Sequence, residues 1–297
     1  MTRRPTASPL PEWLLAHRAE LVFPSDSPAF RAMGVALREL LLPAAAALDD
    51  DVGLDQLHEY IDDALSVSDD GDDATSPIIL HAAKLAGHKL RGAQKKRLSG
   101  RARLHFQNSD ERYQRFLAAF DEFVEQIIAP LCGDASGIVH QRPPTLRVQL
   151  PHLGARAGKG RGTTELHCDA DYPRHEAAEI NFWVPFTKVY ASNTLHVESA
   201  PGRGDYRAVE LTPGEALRFN GSTCRHYTIA NATEATRVSL DFRAIPQSLY
   251  GGKGGLIGDY PSRVVTGPIA LDPRASSTDD LDLDALDGRG AGAMRRL

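Results

Sequence analysis

The second half of the chain is divided into short β-forming segments separated by proline, glycine and small polar residues, and this division limits the fold more than any other feature. Eight candidate strands follow one another at a spacing that suits two packed antiparallel sheets, a sandwich or jelly roll. They are residues 145–150, 165–169, 179–185, 194–198, 206–211, 216–219, 225–229 and 236–242. At 297 residues, the chain is long enough to bury a substantial core.

Several of these segments alternate apolar and polar residues. Ile180, Phe182 and Val184 share one face of the third segment, while Asn181 and Trp183 share the other. Because successive side chains on a strand point to opposite faces, the polar face must meet water or a polar cavity. In a closed double sheet, we expect that cavity to hold the functional site.

The first half shows helical patterns instead. Helices are predicted to begin near residues 27, 54, 76 and 109. Ser-Pro pairs at 27–28 and 76–77 suit an N-cap and the first helical turn. The last of these helices carries an apolar, largely aromatic stripe that is typical of a core face.

These patterns predict a mainly β fold with helices. A helical N-terminal part at 1–133 is integrated with a β core at 134–250. A C-terminal extension follows at 251–278, and the Asp-rich and then Gly-rich tail at 279–297 is expected to be disordered.

Composition excludes several classes of protein. Lys and Arg total 34 against 39 Asp and Glu, and the net charge of -5 disfavours nucleic acid as a partner. No apolar stretch approaches the roughly 18 residues of a membrane-spanning helix, and the N-terminus lacks the apolar run of a secretory signal. Three widely spaced cysteines indicate reduced thiols, so we expect a cytoplasmic protein.

The strongest chemical signal is His167-Cys168-Asp169 followed by His226. On a strand, residues i and i+2 share a face, so His167 and Asp169 can direct an imidazole and a carboxylate at one metal ion. His226 on a neighbouring strand can complete a facial triad that leaves the opposite side of the ion open. Two neutral imidazoles and one carboxylate suit iron(II), an anionic chelating cosubstrate and O2.

Arg237 lies on the polar face of the next predicted strand after His226. A fixed guanidinium can bind a carboxylate through two parallel hydrogen bonds, as a 2-oxoglutarate pocket requires. The alternative is a surface ion pair, for example with Glu234.

With these residues, the chain resembles the iron(II)/2-oxoglutarate-dependent oxygenases, whose signature is His-x-Asp, a distal His and an Arg a short distance beyond it. The stretches that look most like the oxygenases of streptomycin-type antibiotic biosynthesis, near the phytanoyl-CoA hydroxylase branch, are Glu-Ile-Asn-Phe-Trp-Val-Pro-Phe-Thr, Asn-Thr-Leu-His-Val-Glu-Ser and Arg-Val-Ser-Leu-Asp-Phe-Arg. This resemblance covers residues 146–246, about a third of the chain.

The resemblance implies a double-stranded β-helix (a cupin-like jelly roll) with the helical part packed on it. It also implies that His167, Asp169 and His226 bind iron(II), that Arg237 holds 2-oxoglutarate, and that O2 is the other reactant. Chlorinating members usually have Gly or Ala in place of Asp169, so this chain resembles the hydroxylating members, with desaturation as a related alternative.

Other polar residues on the same strand faces, or on the loop after the triad, are weaker candidates. We hypothesise that 2-oxoglutarate also contacts Gln149 or Asn181, and that the substrate contacts Arg147, Arg243, Tyr172 and Trp183. The arginines favour a small polar substrate, such as an amino acid or an aminoglycoside precursor. Asp171 competes with Asp169 as the ligand, and His175 lies on a loop that could cover the metal.

Three alternatives stay open at this point. A cupin-like metal enzyme would use the triad without 2-oxoglutarate, and a non-catalytic jelly roll would only bind a ligand. A zinc site through Cys168 and Cys224 is disfavoured, because Cys168 is out of phase with the triad. A basic run is read either as a solvated face or as a site for phosphate or an acidic carrier protein, and it comprises Lys89, Arg91, Lys95, Lys96, Arg97, Arg101 and Arg103.

Overall fold

The structure is a computed structural model that describes residue 14 and residues 18–66, 75–152, 162–252 and 255–275. The helices are α1 (Pro28–Leu41), α2 (Ala44–Ala47), α3 (Ile61–Ser66), α4 (Pro77–Leu85), α5 (Gly92–Arg97), α6 (Gly100–Ser109) and α7 (Glu111–Phe123). The strands are β1 (Arg18–Val22), β2 (Gly137–Gln141), β3 (Thr145–Gln149), β4 (Ile180–Pro185), β5 (Leu195–Val197), β6 (Arg207–Ala208), β7 (Glu215–Phe219), β8 (His226–Thr228), β9 (Arg237–Pro246), β10 (Leu256–Ile257) and β11 (Tyr260–Thr266). The predicted disordered tail at 279–297 lies outside the described residues.

The strands form two antiparallel sheets. The larger sheet has eight strands in the order β1-β7-β4-β9-β2-β11-β10, with β3 paired to β9. The smaller sheet has the order β6-β5-β8. This mainly β architecture with attached helices confirms the predicted fold class, a double-stranded β-helix with a helical part packed on it.

Two hydrophobic clusters lie on opposite faces of the larger sheet. On the helical side, Phe242 contacts Phe120 of α7 edge-on at 5.1 Å and stacks on Phe182 at 5.6 Å, measured between ring centroids. On the other side, Trp183 belongs to a smaller cluster that includes Leu195 of the smaller sheet. Phe182 and Trp183 therefore face opposite ways, as the alternation predicts.

Local sequence explains where two of the predicted helices start. The Ser27 hydroxyl accepts a hydrogen bond from Phe30 N at 3.3 Å, and Ser76 caps α4 in the same way through Ile79 N. The fourth predicted helix begins two residues after Ser109, at Glu111, because the Asp110 carboxylate is its cap. No helix in the described part of the chain has the length and hydropathy that crossing a membrane requires.

The structure differs from the predicted elements in several places. Residues 54–60 form a 3-10 helix before α3. The N-terminal part is not only helical, because β1 pairs with β7 at the edge of the larger sheet. The C-terminal extension contributes β11, which pairs with β2. Both added strands lie far from their partners in sequence, so local patterns do not reveal the pairing.

A buried histidine in the larger cluster makes stability depend on pH. The ring of His140 on β2 lies 5.7 Å from that of Phe120, and its Nε2 has no hydrogen-bond partner among the described residues. Burial lowers the pKa of His140 to about 4. Between about pH 6.5 and 4, the unfolded chain therefore binds the proton that the folded chain excludes, and stability falls as the pH falls.

We expect His140 to contribute about 2–3 kcal/mol to the loss of unfolding free energy between pH 7 and pH 4. Urea unfolding of His140→Leu at pH 7, 5.5 and 4 should show a pH dependence smaller by that amount. His105→Gln, which removes an exposed histidine, should keep the full dependence. An unchanged slope in His140→Leu would contradict the assignment.

Candidate metal centre

Three side chains converge between the two sheets. One ligand atom each from His167, Asp169 and His226 lies within 4.8 Å of the others, and His167 Nε2 is 3.5 Å from Asp169 Oδ1. His226 begins β8, and a pair of backbone hydrogen bonds at 2.9 and 3.2 Å joins it to His167. The structure thus brings together the three residues that the sequence predicts as metal ligands.

The local backbone differs from the strand predicted at 165–169, and that prediction is wrong. His167 forms an isolated bridge, and Asp169 begins a 3-10 turn that ends at Asp171. The Asp171 carboxylate accepts a hydrogen bond from Cys168 N at 3.1 Å and stabilises this turn. Asp171 is therefore engaged at the surface and does not compete with Asp169 for the two imidazoles.

Hydrogen bonds orient both imidazoles. His167 Nδ1 lies 2.8 Å from the carbonyl oxygen of Glu165, and His226 Nδ1 lies 3.1 Å from that of Cys224. A carbonyl can only accept, so each neutral ring carries its proton on Nδ1 and presents an unprotonated Nε2. Such second partners are typical of histidines that bind metals.

The Asp169 carboxylate is almost saturated with hydrogen bonds. Arg243 donates from Nη2 to Oδ1 at 2.7 Å and from Nε to Oδ2 at 2.9 Å, and Asn181 Nδ2 donates to Oδ2 at 2.7 Å. Each carboxylate oxygen has two lone pairs, so Oδ2 is full and Oδ1 keeps one. The remaining lone pair belongs to the oxygen nearest His167, which favours a single metal–oxygen bond.

Asn181 and Arg243 therefore lie elsewhere than the sequence analysis expects. They are register partners on β4 and β9, and both side chains reach Asp169 instead of an open cavity. Burial would raise the pKa of Asp169, but the contact with His167 and the Arg243 charge outweigh it and hold the pKa far below its usual range. Gly221 makes room for this arrangement, because a Cβ there would lie 2.6 Å from the Asn181 side chain.

A second layer lies behind Asp169. The buried Glu179 carboxylate binds His175 Nδ1 at 2.6 Å and lies 3.7 Å from Arg243 Nε. His175, which the sequence suggests as part of a lid, is instead a supporting group whose side chain is only 6% exposed. Tyr172 from the same loop is 55% exposed, with its ring 5.5 Å from that of His167.

Arg237 is the largest side chain that is fully buried among the described residues. It donates to Asn193 O at 3.1 Å and to Thr163 Oγ1 at 2.8 Å. Among the described residues, its Nε has no hydrogen-bond partner and no carboxylate forms an ion pair with it. Burial, reinforced by Arg147 and only partly offset by Asp241, lowers the pKa of Arg237 to about 9. The site thus holds a desolvated cation that makes no direct ion pair with a described carboxylate.

A small cavity joins Arg237 to the triad. It is lined by residues that include Trp183, His226, Arg237 and Asp241, and its volume is about 10 Å³. This is space for about one water molecule. A larger anion can enter only if side chains move. Thr163 accepts a hydrogen bond from one guanidinium nitrogen of Arg237, and breaking that bond would free the nitrogen for the anion.

The structure also places the remaining residues that the sequence analysis named as candidates for binding cosubstrate, substrate or zinc. Arg147 lines the small cavity and pairs with Asp241 at 3.3 Å. Gln149 is buried and donates to Ile229 O, and no described residue is a hydrogen-bond partner of its Oε1. The Trp183 ring lies 5.9 Å from the Arg237 guanidinium. Among the described residues, no cysteine belongs to a group of converging ligand atoms, so a thiolate zinc site finds no support.

Sequence reasoning missed two residues beside Arg237. Ser239 is two positions further on β9, and its buried hydroxyl has no hydrogen-bond partner within the described chain. The strand periodicity that selects Arg237 also selects Ser239, so this residue was predictable. Thr163 lies in no regular element, and no local pattern identifies it.

No family model matches the chain. Over 125 residues it is 37% identical to the streptomycin biosynthesis protein StrG of Streptomyces griseus, an alignment that covers 42% of this chain and 55% of StrG. The resemblance to a streptomycin-biosynthesis protein is confirmed. The chain spans about half the length of this curated relative.

Several solved structures have partial similarity. A non-heme monooxygenase, the ThoJ–Ni complex, matches with a TM-score of 0.40 and 14% identity over 77% of this chain and 85% of its own. EctD from S. alaskensis with 2-oxoglutarate and 5-hydroxyectoine matches with a TM-score of 0.41 and 13% identity over 87% and 84%. The carbocyclase SnoK from nogalamycin biosynthesis, described as non-heme and alpha ketoglutarate dependent, has a TM-score of 0.37 and 12% identity over 68% and 98%. Similarities this weak do not bear on what this chain binds.

Proposed function

We propose that the protein is a non-haem iron(II)/2-oxoglutarate-dependent oxygenase that acts on a C–H bond of a small polar molecule. The observation that carries the proposal is the fully buried Arg237, a cation that pairs with no carboxylate in the described part of the chain, beside the His167, Asp169 and His226 triad. A metal site alone does not account for such a cation. An anionic cosubstrate that binds next to the metal accounts for both.

The triad fits a divalent ion in its donor chemistry. Two unprotonated Nε2 atoms and one carboxylate lone pair are the donors that ferrous iron takes in a facial triad. A metal bound at about 2.1 Å from each would hold neighbouring ligand atoms about 3 Å apart, so the present spacing of up to 4.8 Å requires a modest contraction. Arg243 and Asn181 keep Asp169 from rotating while this happens.

The bound iron would supply the chemistry by which 2-oxoglutarate, O2 and a C–H bond become succinate, CO2 and a C–OH group. The protein's own residues bind and orient the reactants. Arg237 would pair with the distal carboxylate of the cosubstrate, with the Ser239 hydroxyl on the same strand face as a further donor. Trp183 and Phe219 wall the small cavity and would exclude water from it.

We further propose that the reaction is a hydroxylation or a desaturation and that it belongs to the biosynthesis of a natural product. The presence of a carboxylate at Asp169, already fixed by two neighbours, favours hydroxylation or desaturation over chlorination. The identity to StrG, a streptomycin biosynthesis protein, supports a role in the biosynthesis of a related natural product.

Anaerobic titration of the full-length protein with iron(II), followed by 2-oxoglutarate, tests the proposal. We expect one iron per chain, 2-oxoglutarate binding that depends on iron, and succinate formation once O2 is admitted. His226→Ala should weaken iron binding by more than about 100-fold, because even outer-shell changes cost about 10–100-fold. His196→Gln, on the neighbouring strand and outside the triad, is the matched control and should bind iron normally.

Two outcomes would overturn the proposal. Iron binding without any 2-oxoglutarate binding would indicate a cupin-like enzyme that does not use this cosubstrate. Absence of metal binding in the native protein, or equal binding in His226→Ala, would indicate a jelly roll that only binds a ligand.

A further inference from the structure

A second and much larger cavity lies between the helical part and the edge of the larger sheet. Its volume is about 580 Å³, in the range of small-molecule sites. Residues of α4, α6 and β3 form its walls, and it reaches both faces of β3, since Leu146 and Arg147 both line it. Within the described chain, β3 pairs only with β9, so its other edge is open to this space.

Three wall residues connect this large cavity to the metal centre. Thr163 accepts a hydrogen bond from Arg237. Gln141 Oε1 accepts one from Arg243 Nη1 at 3.1 Å, and Arg243 in turn holds Asp169. Arg147 lines both the large cavity and the small one beside His226. The Arg147 side chain would therefore separate a molecule in the large cavity from the small cavity beside His226.

The charge of the walls selects the ligand. Arg103 and Arg147 line the cavity, and none of its described lining residues is Asp or Glu. Arg147 is partly neutralised by Asp241, whereas the Arg103 side chain makes no hydrogen bond or ion pair within the described residues. The cavity thus has an excess of positive charge, which attracts anions and repels ammonium groups.

The rest of the wall is largely apolar. Ile78, Phe106 and Val148 line it, and Leu104 on α6 is 57% exposed. No residue of α6 is buried, and although Phe106 packs on Tyr113 with 5.5 Å between ring centroids, Leu104 is left without such cover. A ligand with an apolar ring or chain would cover these side chains.

We propose that the large cavity is the substrate chamber, and that its substrate is an organic anion with a carboxylate or phosphate group on a largely apolar body. That the bound anion is a substrate rests on the proposed function, whereas the preference of the cavity for anions does not. The preference for anions excludes a polycationic aminoglycoside precursor as the ligand of this cavity. Arg103 is the specificity-determining residue, because it offers an unpaired guanidinium to the anionic group.

Calorimetric titration of the full-length protein with four probes of one skeleton tests the proposal. The probes are cyclohexylacetate, cyclohexylmethyl phosphate, the neutral cyclohexylacetamide and the cationic 2-cyclohexylethylamine. We expect at least one anion to bind about tenfold more tightly than the amide, and the amine to bind most weakly. The carboxylate and phosphate arms decide which anionic group the site prefers.

Arg103→Gln should weaken the preferred anion by about tenfold and leave the amide unchanged. Arg101→Gln is the matched control, because Arg101 is an exposed arginine of the same helix that does not line the cavity. Both positions are exposed, so neither variant should impair folding. Arg103 does not line the small cavity beside Arg237, so loss of binding in Arg103→Gln identifies the large cavity as the site.

Equal binding of the amine and the anions, or an equal effect of Arg101→Gln, would overturn the inference. These titrations need neither iron nor 2-oxoglutarate, so their outcome is independent of the proposed reaction. If the anion binds through Arg103 while no succinate forms, the proposed function fails and the ligand preference stands. If succinate forms but no anion is preferred, the proposed function stands and the ligand preference fails.

Discussion

Arg237→Gln is expected to raise the melting temperature of the ligand-free protein by a few degrees and to weaken 2-oxoglutarate by about 100-fold. The two effects have one cause. In the free protein, Asp241 only partly offsets the desolvation of the buried guanidinium and no described carboxylate pairs with it directly, so a neutral side chain of similar reach removes an energetic cost. With cosubstrate bound, the same guanidinium forms a buried charged pair that glutamine cannot reproduce.

Thermal unfolding with and without 2-oxoglutarate measures both effects in one experiment. The wild-type protein should gain stability from the ligand in the presence of iron(II), and Arg237→Gln should gain much less at the same concentration. Arg225→Gln is the matched control, since Arg225 is a half-exposed arginine paired with Asp171 on the surface. It should change neither quantity by a measurable amount.

A fall in the melting temperature of ligand-free Arg237→Gln would indicate that the hydrogen bonds to Asn193 and Thr163 outweigh the cost of burial. Arg237 would then be a structural residue. An unchanged affinity for 2-oxoglutarate would remove the argument for this cosubstrate altogether.

The triad was predictable from the sequence because its geometry depends on short-range rules. His167 and Asp169 are two positions apart, and His226 begins the strand that forms a bridge with His167. The same period-two rule places Phe182 on the helical side of the larger sheet and Trp183 on the cavity side. Both inferences require only that the segments be extended or nearly so. The 3-10 turn that begins at Asp169 leaves the convergence of the three side chains unchanged.

The roles of Arg243 and Asn181 were not predictable in the same way. Both lie on the polar face that the alternation identifies, but what they contact depends on the register between β4 and β9. That register is set by packing over many residues, and a single sequence does not reveal it. The pairing of β1 with β7 could not be predicted either, because nearly 200 residues separate the two strands.

Arg243→Met is expected to have the largest effect on stability of the substitutions considered. Arg243 and Asp169 are both buried and joined by two hydrogen bonds, and removing one partner leaves an uncompensated buried charge. Such a loss typically costs about 3–5 kcal/mol. Chemical unfolding of the metal-free variant should show a decrease of this size. Arg115→Met, which removes an exposed pair with Glu39, should cost less than about 1 kcal/mol.

A double-mutant cycle separates the charge from the packing. Asp169→Asn combined with Arg243→Met removes both charges, and we expect it to recover most of the lost unfolding free energy. If the double variant is as unstable as the two single losses added together, Arg243 acts through the packing of its side chain against Tyr260 and not through Asp169.

Metal binding supplies a readout that packing would not change. In Arg243→Met, the carboxylate of Asp169 has lost its counter-charge, so a divalent cation held by His167, Asp169 and His226 would neutralise it. The increase in melting temperature on adding manganese(II), used in place of iron(II) to avoid oxidation, should therefore be larger in Arg243→Met than in the wild-type protein. An equal or smaller increase would mean that the guanidinium does not balance the charge of the ligand carboxylate. In that case, its two hydrogen bonds would serve only to fix the direction of Asp169 Oδ1.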